Sequence, residues 1–184
     1  MSRTSTAVSP VLASLVASIR EVVHSGVDDD AVAQSVASLL GPCLGGDSFL
    51  TEAQRAPDPD HYRQHILHVE DDGSFSIVAL VWLPGQETPI HDHVSWCVVG
   101  VHEGQEYETR YQVESDDHGA SWLVEDGHSV NPPGSTAALT PPGDIHKVVN
   151  NGQKLAISLH VYGADIGKLG SSIRRRYDFP VRVA

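Results

Sequence analysis

Two textures divide the chain. Over residues 9–24 apolar side chains recur at helical spacing, with Val11, Leu12, Leu15, Val16, Ile19, Val22 and Val23 on one face. Ser9 stands at the N-cap position and Pro10 at the first helical position. A second helix follows Asp28, Asp29 and Asp30, whose charges suit a helix N-terminus. Its apolar face is Val32, Val36, Leu39 and Leu40, and Gly41 with Pro42 ends it. From about residue 62 the pattern changes. The segment 74–83 is β-branched and aromatic, as a buried strand requires. Further strands are predicted over 97–104, 105–113, 135–139 and 154–163, punctuated by Gly, Pro, Asn and Asp clusters at 126–134 and 141–144. Two helices followed by a run of strands predict an all-β jelly-roll barrel with short N-terminal α-helices. The expected organisation is a single domain: a helical segment over 1–45, a barrel core over 60–165, and a tail over 166–184. That tail carries Arg174, Arg175 and Arg176 and is expected to pack on the barrel or cover its mouth.

Length and composition narrow the function. A chain of 184 residues with 40% hydrophobic content supports one core. A net charge of −12 argues against a nucleic-acid partner, because phosphate binding needs a basic surface. No run of about 18 apolar residues is present, so no membrane span is expected. The apolar stretch before Arg20 and Glu21 reads as a helix rather than a signal peptide. Cys43 and Cys97 read as reduced thiols in a cytoplasmic protein.

The chemistry is carried by histidines. His91 and His93 are two apart, and in an extended segment such positions share a face. The turn at Pro141, Pro142 and Gly143 delivers His146 onto a neighbouring strand, where a third imidazole completes a facial set. The spacing from Gly85 through His91 and His93 to Gly104, and from Pro141 through His146 to Asn150, is the cupin double motif. Cupins usually place a Glu ligand where this chain has Cys97. Three neutral imidazoles without a protein anion leave a divalent ion its full charge and favour anionic ligands from the substrate. Cys97 is the alternative further ligand, since thiolates bind metals well.

From Tyr62 to Gly167 the sequence resembles the cysteine dioxygenase family, the thiol dioxygenases of the cupin superfamily. The resemblance rests on His91, Asp92 and His93 with His146, on Ser158, His160 and Tyr162, and on Tyr62, Arg63 and Gln64. It implies one iron(II) per chain held by His91, His93 and His146, with a small-molecule thiol and dioxygen as partners and a sulfinate as product. It also implies a hydrogen-bond relay through Ser158, His160 and Tyr162. Gln64, with Arg63 beside it, is the candidate contact for the substrate's polar end. Members acting on cysteine usually have Arg in place of Gln64, and members acting on 3-mercaptopropionate usually have Gln. The latter use another Arg after the relay tyrosine; here that stretch is Lys168 to Ser172, and the arginines come later. Some members join a cysteine to the relay tyrosine through a thioether, which implies a Cys97–Tyr162 crosslink if one deletion is allowed. The other readings are a cupin oxygenase of secondary metabolism with a different product, and a non-enzymatic, metal-dependent binding module. Of the remaining histidines, His65 and His68 are candidates to line the pocket, and Trp82, Trp96 and Trp122 are expected in the core. The oligomeric state is not legible.

Overall fold

In the computed structural model, the described residues are 9–46 and 50–182. The outermost parts of the expected N-terminal segment (1–8) and tail (183 and 184) lie outside them. Helix α1 (Pro10–Val23) buries Leu12, Leu15, Val16 and Ile19, while Val11 stays exposed and Ser9 makes no side-chain capping bond. Helix α2 (Asp29–Leu40) is capped by Asp28, whose side chain accepts from the Ala31 amide at 2.8 Å. Gly41 and Pro42 end it in a short 3-10 turn.

The strands are β1 (Arg63–Val69), β2 (Ser76–Trp82), β3 (His91–His93), β4 (Cys97–Glu103), β5 (Glu106–Ser115), β6 (Ser121–Asn131), β7 (Thr136–Leu139), β8 (His146–Val149), β9 (Ala156–Tyr162), β10 (Ile173–Arg176) and β11 (Val181–Arg182). A short helix, α3 (Ile166–Leu169), precedes β10. One sheet runs β1-β2-β9-β4-β7 and the other β10-β3-β8-β5-β6-β11. The fold is a cupin barrel. Both helices pack on the outer face of the first sheet, in one cluster with Ile77, Ala79, Val81, Ile157, Leu159 and Val161. Strands β2 and β9 are therefore buried on both faces, so 77–82 reads as an unbroken apolar run. On β9 the odd positions face the helices, which turns Ser158, His160 and Tyr162 into the barrel. Gly100 admits the end of α2: a Cβ there would lie 2.8 Å from Leu40 Cδ2.

Two sequence expectations are corrected. Residues 126–131 are not a break but the second half of β6. A bulge at Arg110 absorbs Asp126 and Gly127, so that Thr109 pairs with His128 and Tyr111 with Glu125. The tail enters the second sheet rather than lying over it, with β10 paired to β3 and β11 to β6. Asp92 holds that edge: Arg174 pairs with its carboxylate and the Tyr177 hydroxyl donates to it at 2.8 Å. No helix among the described residues is long and apolar enough to cross a membrane.

Candidate metal centre

β3 and β8 are antiparallel neighbours with His91 directly opposite His146. His93 shares the face of His91, so three imidazoles converge, with ring centroids 4.8 to 5.0 Å apart. Their ligand nitrogens lie within 4.8 Å of one another. All three residues are buried, at 2–4% exposure.

Each ring is oriented from behind. The Nδ1 of His91 meets the Pro89 carbonyl at 2.9 Å, that of His93 meets Asp144 Oδ2 at 2.9 Å, and that of His146 meets Glu108 Oε1 at 2.7 Å. Carbonyl and carboxylate oxygens only accept, so each Nδ1 carries the proton and donates. Each Nε2 is left with a free lone pair. Two of the rings are also kept neutral: burial first, then the neighbouring imidazoles, lowers the His91 pKa to about 3, and burial lowers that of His93. Burial raises the Asp144 and Glu108 carboxyls, but the hydrogen bonds from His93 and His146 bring both below their usual values. This donor set fits a divalent transition metal, with His91, His93 and His146 as its holders.

Asp144 and Glu108 alter the charge expected from sequence. The ligand set contains no anion, but two carboxylates stand one hydrogen bond behind it and offset part of an ion's charge. Asp144 had a signal, two residues before His146 inside the second half of the motif. Glu108 had only its alternation with Glu106 on a strand whose other face is more exposed. Asn150, the last residue of the motif, is structural: its Nδ2 donates to the Trp82 and Lys154 carbonyls.

A small, largely enclosed cavity of about 30 Å3 opens on the triad, lined by Gln64, Trp82, His160, Tyr162, Ser172 and Ile173 among others. The relay residues are joined. Ser158 Oγ lies 2.9 Å from His160 Nε2, and His160 Nδ1 lies 3.1 Å from the Tyr162 hydroxyl. Trp82 Nε1 donates to Ser158 at 3.1 Å. Gln64 is exposed and lines both the cavity and an adjoining surface groove, whereas Arg63, also exposed, lines the groove alone. His65 and His68 bond away from the cavity, to the Ala56 carbonyl and Glu70. Trp82 and Trp96 are core, but Trp122 is half-buried with Arg182 stacked on it at 3.7 Å. Cys97 does not join the metal-capable group. It pairs in register with Tyr162 and is fully buried.

Residues 1–170 match the family described as cysteine dioxygenase type I. The chain belongs to that family. Among solved structures it is similar to TT1209 from Thermus thermophilus, at 21% identity over 62% of this chain and 96% of that one, with a TM-score of 0.45. An RmlC-like cupin protein from Desulfovibrio desulfuricans is 20% identical over 64% of this chain and 96% of its own, also with a TM-score of 0.45. Cysteine dioxygenase type I membership covers both motif halves and the relay strand.

Proposed function

We propose that this protein is an iron(II)-dependent dioxygenase that converts a small thiol, such as cysteine or a mercapto acid, to its sulfinate in the cytoplasm. The observation that carries the reading is the convergence of the His91, His93 and His146 imidazoles on the cavity that also holds Tyr162. The reaction balances without another reductant: one thiol and one dioxygen give one sulfinic acid, both oxygens ending on sulfur. Bound iron(II) supplies a Lewis acid for the thiol and a redox centre for dioxygen. The chain supplies the rest. Leu80, Trp82, Val148 and Ile173 exclude water, and the cavity's size favours a substrate of few heavy atoms. His160 positions the Tyr162 hydroxyl toward the substrate. Oxygen uptake with a panel of small thiols and the iron(II)-loaded protein tests this, with product mass separating a sulfinate from another oxidised product. Metal binding without uptake for any thiol would favour the binding-module reading.

Three arginines follow the place where a carboxylate clamp was sought. Arg174 is committed to Asp92, and Arg175 stacks over Tyr177 and Phe179 at 4.7 and 5.5 Å. Arg176 pairs in register with His91, is exposed outside the cavity lining, and its charge acts on Tyr62, which lines the cavity beside Gln64. We read Arg176 and Gln64 as the contacts for the substrate's carboxylate. Arg176→Met and Gln64→Ala are expected to raise KM for a carboxylate-bearing thiol by about 10-fold while kcat changes less. Unchanged KM in both variants would remove them from the binding site.

Cys97 and Tyr162 face each other across β4 and β9, inside the barrel. A thioether between them, formed with dioxygen as oxidant and loss of the thiol hydrogen and one ring hydrogen, is part of this reading. After extended turnover the linked Cys97–Tyr162 peptide is expected about two hydrogens lighter than the sum of its parts. An alkylatable Cys97 after the same treatment would rule the bond out.

A further inference from the structure

Glu106 begins β5 with its side chain inside the barrel and is 1% exposed. Neither it nor Ser158 is among the residues that line the cavity. Its Oε1 is buried without a partner at hydrogen-bond distance, and Ser158 is the side chain near enough to act on the carboxyl as a donor. A carboxyl aimed at the far end of the relay, with an oxygen unmet, has no structural duty that a glutamine or leucine would not serve better.

We propose that Glu106 is the terminal proton acceptor of the Ser158–His160–Tyr162 relay, and takes through it the proton that a thiol gives up in the cavity. This rests on the thiol reading above. His160 is neutral, because its complete burial holds its pKa well below the usual value. One of its ring nitrogens therefore carries a proton, and the wire has two settings. With Glu106 ionised, Ser158 donates to it and accepts from His160 Nε2–H. Nδ1 then accepts from the Tyr162 hydroxyl, whose remaining lone pairs face the cavity. With Glu106 protonated every bond reverses: Glu106 donates to Ser158, Ser158 to Nε2, and Nδ1–H to the Tyr162 oxygen. The phenol proton is then free to point into the cavity. Trp82 Nε1–H occupies one Ser158 lone pair in both settings, which leaves that hydroxyl one proton to give and one to receive.

A single shift joins the settings. The thiol S–H bond breaks and its proton goes to the Tyr162 oxygen. Tyr162 passes its own proton to Nδ1, Nε2 passes one to Ser158, and Ser158 passes one to Glu106. One proton leaves the thiol, one O–H bond forms on Glu106, and no electrons are exchanged. Burial raises the Glu106 pKa to about 7, with Ser158 lowering it and Glu108 raising it in smaller measure. An acceptor near the working pH can both take and return a proton. The groups around Glu106 are Ser158 and, beyond it, His160 on β9, Asn131 in register on β6, and Glu108 on its own strand. Of these Glu108 and His160 titrate. Ser172 and Cys97 are the other neighbours of the Tyr162 hydroxyl and stand outside the wire.

The test is the ring tautomer of His160, read from 15N shifts of histidine-labelled, zinc(II)-loaded protein. The wild type is expected to change from Nε2-protonated to Nδ1-protonated as pH falls through about 7. Glu106→Gln and Ser158→Ala are each expected to hold one tautomer throughout. With iron(II) and thiol, Glu106→Gln is expected to lose on the order of 100-fold in kcat/KM, together with the limb that falls below neutral pH. One unchanging His160 tautomer in the wild type, or a change that persists in Glu106→Gln, would overturn the assignment. The tautomer readout needs no turnover, so it decides this point even if no thiol is oxidised.

Discussion

His146→Ala is expected to bring metal content from about one ion per chain to background and to abolish thiol-dependent oxygen uptake. Three imidazoles are the smallest set that fixes a facial site, and removing one leaves two donors on a single strand edge. His91→Ala and His93→Ala should lose metal in the same way. His146→Ala has a second consequence, because Glu108 Oε1 loses the Nδ1–H that meets it at 2.7 Å. A buried carboxylate stripped of its donor costs about 1–3 kcal/mol. The double variant His146→Ala with Glu108→Ala is therefore expected to recover part of the stability and none of the metal. Metal analysis and thermal unfolding of the two variants separate ligand loss from misfolding. Wild-type protein that takes up no divalent metal at micromolar concentration would overturn the metal reading entirely.

The triad was legible because a strand-edge metal site is encoded by short spacings: two residues from His91 to His93, and a Pro-Gly turn just before His146. The relay was legible for the same reason, since Ser158, His160 and Tyr162 alternate along one strand. What escaped depends on pairing between distant segments. Glu108 lies 38 residues from His146, and no local pattern links them. β10 reads as a basic, exposed stretch, and becomes a strand because β3 needs an edge partner and Asp92 needs Arg174 and Tyr177. β6 looks shorter in sequence than it is because Asp126 and Gly127 resemble a turn; the matching bulge at Arg110 is visible only once β5 lies beside it. The side on which Cys97 falls turned on a one-residue register, which the pairing with Tyr162 decides.

The carboxylates behind the ligands carry the second large effect. Glu108→Gln and Asp144→Asn keep an oxygen able to accept from Nδ1–H, so each ring can hold its orientation and its tautomer. They remove the negative charge that makes the imidazole a better donor to a cation. Metal affinity is expected to fall about 10–100-fold in each variant, measured by competition for zinc(II) against a chelator. Asp144 has a further duty, since Oδ2 also accepts from the His93 backbone amide at 3.0 Å and ties the turn before β8 to β3. Asp144→Ala should therefore lose stability as well as affinity, whereas Asp144→Asn should lose mainly affinity. Glu108 also accepts from Ser129 on β6, at 3.3 Å, and Ser129→Ala serves as a control for that contact alone. If both amide variants bind zinc(II) as tightly as the wild type, the carboxylates only orient the rings, and the site's charge is the bare sum of ion and neutral imidazoles.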